Sequence, residues 1–416
     1  MRAPLAVWLF ALGLAANMFS GFSGELGLPI GLDRILLPSA LLLALFDGRF
    51  TWWRARSVHV AWILMALIAT TSAVTIGYRG GIDTLFSLLD RIYLPALLCA
   101  FAPYFLGTAA RRGLLLRMLT LMALYLGTTT VLESVGLYGV LFPRYIAHYR
   151  SAVEASHEVV RAGGPFLFGE ANGMALAMCG FAAILLALTT GGGWRMLAAA
   201  AGPLALAASI ATMTRSVWLG VVLGLVAVAC TRWSWIKWLP VVGFAGVIAL
   251  GVGAVAFPQF AADVATRAST SQSLFDRAST NEAALRILAQ RPLTGIGWEQ
   301  FVHIGSDFAR QSDTLPLGAT KIPVHNVFLG RGAELGIPGL MAFVFTLIAG
   351  PLAALTRPLR PDLVGWQLLL LAVFSVWFVV SMTSPNPYPL PTFLLWTITG
   401  FVLSAPRSPR SRSRAG

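Results

Sequence analysis

The chain has 416 residues, of which 57% are hydrophobic and only 11% are charged, and its formal net charge is +13. Soluble domains carry about 25% charged residues. The composition therefore excludes a soluble enzyme with one anchor and indicates a polytopic α-helical membrane protein. The arginine excess favours loops that face anionic headgroups, because no basic and aromatic platform for single-stranded nucleic acid is apparent. We expect membrane lipids, and no nucleic acid, among the partners.

Apolar runs predict an all-α fold with about twelve transmembrane helices. Nine lie within residues 1–257, a long outer segment follows at 258–323, three more lie within 324–404, and 405–416 form a basic tail. The predicted spans are Pro4–Ser20, Ile35–Phe46, His59–Gly77, Leu85–Leu106, Met118–Leu137, Asn172–Thr190, Met196–Met213, Val217–Cys230, Leu239–Phe257, His325–Gly350, Leu363–Met382 and Thr392–Ser404.

The short loops differ in charge. One set carries arginine clusters, for example at 49–56, 111–117 and 357–360, whereas the other carries only Arg34, Arg79 and Arg215. Because arginine-rich loops stay in the cytoplasm, we expect both termini there. The loop 142–170, the Arg215 turn, the 258–323 segment and the start of span ten then share the opposite, outer face.

The outer segment 258–323 has helical character of its own. Ser279 and Glu282 have the spacing of a capping box, and an apolar helical face follows them. Trp298 and Phe301 are interpreted as interfacial anchors. The segment is therefore predicted to be a lid of short amphipathic helices on the membrane surface.

One arginine in an outer turn is a candidate anion ligand. Arg215 lies in a tight turn at the hydrocarbon edge, where an unpaired charge is costly. It either extends to the headgroups or binds a ligand, since guanidinium forms forked bonds to phosphate oxygens. Arg277 and Arg291 lie in the outer segment, where solvated or headgroup-facing positions are the alternative.

A second group of polar residues lies at the start of span ten and within spans ten and four. His325 and Asn326 open span ten, either as a simple helix cap or with His325 as a base near neutral pH. Within that span, Arg331 and Glu334 are three residues apart and are expected to pair or to face the protein interior. Asp90 and Arg91 are a similar pair candidate in span four.

Glu170 and Asn172 open span six and either form a helix-start turn or line the same cavity. Known metal and nucleotide motifs such as HExxH and the Walker loop are absent from the sequence, as is a pair of adjacent outer aspartates. We therefore expect metal-independent chemistry with no metal site and no cofactor.

Four motifs in order resemble the O-antigen ligase and polysaccharide polymerase superfamily of bacterial inner membranes, over residues 160–345. They are the Gly-Pro-Phe stretch at 164–166 leading to Asn172-Gly, the turn Thr214-Arg215-Ser216, Arg277 before Pro292-Leu-Thr-Gly-Ile-Gly297, and His325-Asn326 before Glu334-x-Gly-x-x-Gly339. Glu170-Ala171 departs from the usual residues of the first motif.

The resemblance implies a GT-C-like glycosyltransferase that moves a glycan from undecaprenyl diphosphate to a sugar hydroxyl. The acceptor would be lipid A core for a ligase, or a lipid-linked glycan for a polymerase, in lipopolysaccharide or exopolysaccharide biosynthesis. By the resemblance, Arg215 and Arg277 would bind the diphosphate, and His325 would act either as base toward the acceptor hydroxyl or as an orienting donor. The alternative is a transporter or flippase of a lipid-linked or anionic glycan, although repeated halves typical of transporters are not evident.

Overall fold

The computed structural model describes residues 4–22, 30–47, 56–75, 81–149, 161–231, 272–309 and 323–406. The regular elements in these ranges are helices, without any strand. The predicted all-α polytopic membrane fold is therefore confirmed. The predicted ninth span, Leu239–Phe257, and the tail 407–416 lie outside the described residues.

Twelve helices are used below to locate the site. They are α1 Leu5–Ala16, α2 Asp33–Phe46, α3 Ser57–Thr75, α4 Ile82–Leu106, α5 Ala109–Ser134, α6 Gly169–Thr189, α7 Gly192–Ala208, α8 Arg215–Cys230, α9 Gln272–Gln290, α10 Val327–Leu347, α11 Val364–Thr383 and α12 Pro389–Ser404. A π-helical turn, Leu89–Tyr93, interrupts α4, and α7 continues into the 3-10 turn Ser209–Thr212.

Most of these helices suit a membrane. Within the described residues, seven helical stretches are long and apolar enough to cross a bilayer, and α1, α8 and α12 are shorter apolar helices. Helix α6 is buried along almost its whole length by its neighbours, whereas α3 and α7 leave apolar faces exposed. Such faces suit contact with lipid chains, and α6 forms the centre of the bundle.

Helix α10 is bent at Gly336. Gly336 has φ 70° and ψ −172°, so the regular hydrogen bonds stop there. The carbonyls of Ala333 and Glu334 instead accept hydrogen bonds from the N–H groups of Ile296 and Gly297, both at 2.9 Å. The turn that follows α9 thus satisfies backbone groups that the bend leaves open.

Two glycines allow this contact between the turn and the bent helix. Gly295 has φ +62°, and a Cβ there would lie 2.5 Å from the Ala333 carbonyl oxygen. A Cβ on Gly336 would lie 2.6 Å from the Pro292 carbonyl oxygen. Because larger residues would clash and strain the backbone, both glycines are required for the contact.

Helix α9 differs from its prediction. It extends over Gln272–Gln290, so Ser279 lies inside the helix and the predicted capping box with Glu282 is wrong. Ser279 is itself buried on one face of this helix and therefore does not cap its start. That face packs in a small core of its own, which contains Ala283, Ala284, Ile287, Ile296, Phe301, Val324 and Ala333.

Trp298 and Phe301 are not interfacial anchors, so that prediction is also wrong. Trp298 is fully buried, and its Nε1 donates a hydrogen bond to Ser87 Oγ at 2.6 Å. Its backbone N–H donates to Ser72 Oγ at 3.1 Å. The indole thus bonds to α4 and the backbone N–H bonds to α3, and together they fix the turn after α9 to the bundle.

Candidate active site

Arg215 begins α8 directly after a left-handed turn. Met213 has φ +50°, and Thr214 is the extended N-cap residue. The backbone therefore reverses at once between α7 and α8, and the Arg215 side chain is exposed at the helix start. The turn touches the start of α6, since a Cβ on Gly169 would lie 2.7 Å from the Thr212 carbonyl oxygen.

The segment before α6 is held against the same turn. The N–H of Ala162 donates to the Ala211 carbonyl at 3.3 Å. The buried Glu133 carboxylate of α5 accepts the N–H groups of Gly163 and Gly164 at 3.2 and 2.9 Å. These bonds bring Arg161, whose side chain lies over Gly169, next to the first residues of α6 and α8.

Asn172 belongs to this scaffold. It is fully buried, and its Nδ2 donates to Thr130 Oγ1 at 2.8 Å and to the Ala162 carbonyl at 3.0 Å. The structure thus places it between α5 and the segment before α6, where it fixes the backbone and does not line an open cavity.

Glu170 connects α6 to the link between α11 and α12. Its Oε2 accepts hydrogen bonds from Ser384 Oγ at 2.5 Å and from the Tyr388 hydroxyl at 3.2 Å. Burial raises the pKa of Tyr388, and the Glu170 charge and this hydrogen bond raise it further. Tyr388 therefore stays a neutral donor to the carboxylate.

Arg277, on α9, lies within electrostatic range of this carboxylate. Burial lowers the pKa of the Arg277 guanidinium; the Glu170 charge opposes this shift, whereas Arg215 and Arg161 add to it. Arg277 Nε is also buried without a hydrogen-bond partner among the described residues. The charges of Glu170, Arg215 and Arg161 thus all act on Arg277, and we call Arg161, Arg215, Arg277 and Glu170 the guanidinium cluster.

His325 contacts α9 one helical turn after Arg277. Its Nδ1 is 3.4 Å from Thr280 Oγ1, and that hydroxyl is 3.3 Å from the Arg277 carbonyl oxygen. Asn326 is the N-cap of α10, and its Oδ1 accepts the N–H groups of Phe328 and Leu329 at 2.9 and 3.2 Å. The cap fixes the start of α10 and hence the position of His325 beside α9.

Two other candidate residues, Glu334 and Arg291, have no contact with the guanidinium cluster among the described contacts. Glu334 is buried and pairs with Arg331 at 3.0 Å, which confirms the predicted pairing. Arg331 also lies 4.2 Å from the centre of the Trp298 ring. The side chain of Arg291 is exposed after the end of α9. The contacts of these two candidates do not join them to the cluster.

Asp90 and Arg91 do not pair with each other, so that prediction is wrong. Asp90 pairs with Arg34 at 2.9 Å, and Arg91 pairs with Glu299. Neighbouring residues on a helix point in different directions, so each finds a partner on another element. The pairs Arg34–Asp90, Arg91–Glu299 and Arg331–Glu334 are called the ion-pair network below.

Sequence reasoning missed Arg161, Ser384 and Tyr388. Arg161 lies in a loop without helical periodicity, and only its place just before the Gly-Gly-Pro stretch at 163–165 could have drawn attention to it. Ser384 and Tyr388 lie more than 200 residues from Glu170 in the sequence. Their contacts depend on the packing of α6 against the end of α11, which spacing alone does not reveal.

Comparison with protein families matches residues 200–344 to the family described as O-antigen ligase. The matched interval contains Arg215, Arg277 and His325, together with the turn that contacts the bend of α10. Searching the curated proteins gives no match. The match covers residues 200–344 of 416, and it supports a multi-pass membrane protein that is similar to glycan transferases of the O-antigen ligase or polymerase type.

Proposed function

We propose that the protein transfers an oligosaccharide or polysaccharide from undecaprenyl diphosphate to a sugar hydroxyl. The observation that carries this proposal is that the charges of Glu170, Arg215 and Arg161 all act on Arg277. Among the described residues, the cluster combines three guanidinium groups with one carboxylate. Such a site suits a diphosphate, because guanidinium groups bind phosphate oxygens through charge-assisted forked bonds.

In the proposed reaction, the bond between the sugar C1 and the diphosphate oxygen breaks, and the acceptor oxygen forms a new bond to C1. The electron pair of the broken bond leaves with undecaprenyl diphosphate, where Arg215 and Arg277 stabilise the added charge. His325 accepts the proton of the acceptor hydroxyl. The arginines supply the charge stabilisation that a metal ion would otherwise give, so the proposed reaction is metal-independent.

The other candidates support these groups. Asn326 fixes the start of α10, and Asn172 fixes the segment that carries Arg161. Glu334 stabilises the bent helix on which the turn after α9 rests. Glu170 holds the α11–α12 link to the cluster, and the exposed Arg291 suits a contact with lipid headgroups.

The proposed location is the bacterial inner membrane, with the cluster facing the periplasm and both termini in the cytoplasm. The charge of the short loops supports this orientation. The acceptor is a sugar hydroxyl on lipid A core or on a second lipid-linked glycan.

Complementation of a strain that lacks the gene tests the proposal. Arg215→Ala, Arg277→Ala and His325→Ala should each abolish the surface polymer while the protein still accumulates in the membrane. The control is Arg360→Ala, because Arg360 is an exposed arginine that pairs only locally with Asp362. Normal polymer from all three site variants would refute the proposed function.

Two further results separate the remaining alternatives. On deletion of the gene, single repeats on lipid A core indicate a polymerase, whereas polymer left on its carrier lipid indicates a ligase. Purified protein with labelled donor lipid in vesicles separates transfer from transport. A flippase would move the lipid across the bilayer without forming a new glycosidic bond.

A further inference from the structure

The backbone on both sides of His325 is fixed. Val324, the residue before it, is 5% exposed and belongs to the small core that α9 shares with α10. Asn326, the residue after it, caps α10 with its side-chain oxygen. With both neighbours held, the remaining freedom of His325 lies in the direction of its ring and in which ring nitrogen carries the proton.

Thr280 is a polar residue on the face of α9 that packs in this core. Ala283, Ala284 and Ile287 follow it at spacings of three, four and seven residues, and all three are fully buried. Residues at these spacings lie on one side of a helix. Thr280 itself is 4% exposed. This buried face therefore begins with a hydroxyl and continues with apolar side chains.

The Thr280 hydroxyl lies between two groups. Its Oγ1 is 3.3 Å from the carbonyl oxygen of Arg277, one turn earlier on α9, and 3.4 Å from His325 Nδ1. A hydroxyl has one proton to donate, and a carbonyl oxygen can only accept. The hydroxyl proton therefore points to the Arg277 carbonyl, and the hydroxyl oxygen accepts the proton of His325 Nδ1. Hydrogen bonds that act in catalysis are often long in the free enzyme and shorten in the substrate complex.

The direction of this contact selects one form of the His325 ring. A neutral imidazole has a single N–H, and the hydrogen bond made by one nitrogen sets which of the two carries it. If Nδ1 donates to Thr280, Nε2 carries the lone pair. A base needs such a lone pair to take the proton of a sugar hydroxyl.

We propose that Thr280 is a positioning residue for the transfer reaction, which holds His325 with its proton on Nδ1 and its lone pair on Nε2. This inference rests on the proposed function. Nε2 takes the proton of the acceptor hydroxyl, and the electron pair of that O–H bond forms the new bond to the sugar C1. Undecaprenyl diphosphate leaves with the electron pair of the broken bond. Nδ1 keeps its proton throughout, so its hydrogen bond to Thr280 persists when the ring becomes positively charged.

Three variants separate this role from a purely structural one, in which Thr280 bonds only to the preceding turn of its own helix. Thr280→Val keeps the branched shape but removes the hydroxyl, whereas Thr280→Ser keeps the hydroxyl and removes the methyl group. Ser279→Ala is the matched control on the same helix. It also removes a buried hydroxyl, but Ser279 Oγ has no hydrogen-bond partner among the described residues.

The first measurement is the transfer rate of the purified full-length protein in nanodiscs. Thr280→Val should lower kcat about tenfold, which is part of the 10²–10⁴-fold that a positioned base supplies. Thr280→Ser should stay within about threefold of wild type, and Ser279→Ala should be unchanged. The affinity of Thr280→Val for undecaprenyl diphosphate should stay within about twofold, because both arginine side chains remain. Wild-type kcat in Thr280→Val, or an equal loss in Thr280→Ser, would overturn the inference.

The second measurement is the nitrogen NMR spectrum of protein labelled with ¹⁵N-histidine, in which the His325 signals are those lost in His325→Ala. At alkaline pH, wild-type His325 should carry its proton on Nδ1, and Thr280→Val should lose this preference. A proton on Nε2 in the wild type would overturn the inference even if Thr280→Val fails to fold. Full transfer by His325→Ala would instead refute the base in the proposed function, whereas an inactive His325→Ala with a fully active Thr280→Val would overturn this inference alone.

Discussion

The two groups of arginines in this protein differ in their balance of charge. In the ion-pair network, Arg34, Arg91 and Arg331 each have a carboxylate partner. In the guanidinium cluster, the described residues place three arginines with one carboxylate, Glu170, which also accepts two hydroxyl hydrogen bonds. Because unbalanced charge at a membrane edge is costly, we interpret the network as structural and propose an anionic ligand for the cluster. The predictions below separate these roles.

The largest expected effect follows from breaking a pair in the network. Glu334→Leu leaves Arg331 buried without its 3.0 Å partner and should lower the free energy of unfolding by about 3–5 kcal/mol. The double variant Arg331→Met with Glu334→Leu should recover most of this loss, because no charge is left unpaired. Reversible unfolding in mixed detergent micelles measures both, and equal stability of the single variant and wild type would contradict a structural role.

Removing an arginine from the guanidinium cluster should lower activity and leave stability almost unchanged. Arg277→Ala should reduce glycan transfer about 10²- to 10³-fold, as loss of a transition-state donor does, while stability changes little. Arg286→Ala is the control on the same helix, because Arg286 pairs with Glu282 and not with the cluster. The account fails if a transfer assay shows the two variants to be equally active.

A smaller effect is expected at Gly295, where the turn after α9 contacts the bend of α10. Gly295→Ala places a Cβ against the Ala333 carbonyl at a positive φ and should cost about 2 kcal/mol of stability. It should also lower glycan transfer, because it displaces the turn after α9, the helix that carries Arg277. Gly113→Ala in α5 is the control, since no atom lies within 4 Å of its added Cβ. Equal stability of the two variants in the same unfolding assay would argue against the close contact.

The smallest effect is expected at the edge of the cluster. Tyr388→Phe removes one of two hydrogen bonds to Glu170 and should reduce transfer about two- to tenfold. Tyr125→Phe, which removes a hydrogen bond to the Phe142 carbonyl, should leave transfer unchanged. A loss in Tyr388→Phe as large as that in Arg277→Ala would mean that Tyr388 acts on substrate directly.

The sequence predicted the helical membrane fold because apolar runs of spanning length are a local signal. It also singled out Arg215, Arg277 and His325, since their motifs lie in recognisable order. The partners of Asp90, Arg91 and Trp298 were not predictable, because they lie on helices distant in the chain. Arg161 was not predicted either. Its position depends on hydrogen bonds from the next residues of its loop, Gly163 and Gly164, to Glu133 on α5.

The central claim is that the guanidinium cluster, and not the ion-pair network, binds the lipid diphosphate. The most direct test is the affinity of the purified protein for undecaprenyl diphosphate in Arg277→Gln and in Arg331→Gln. The account predicts that Arg277→Gln weakens binding by about tenfold or more. Folded Arg331→Gln should bind within about twofold of wild type. An equal loss in both variants, or no loss in Arg277→Gln, would contradict it.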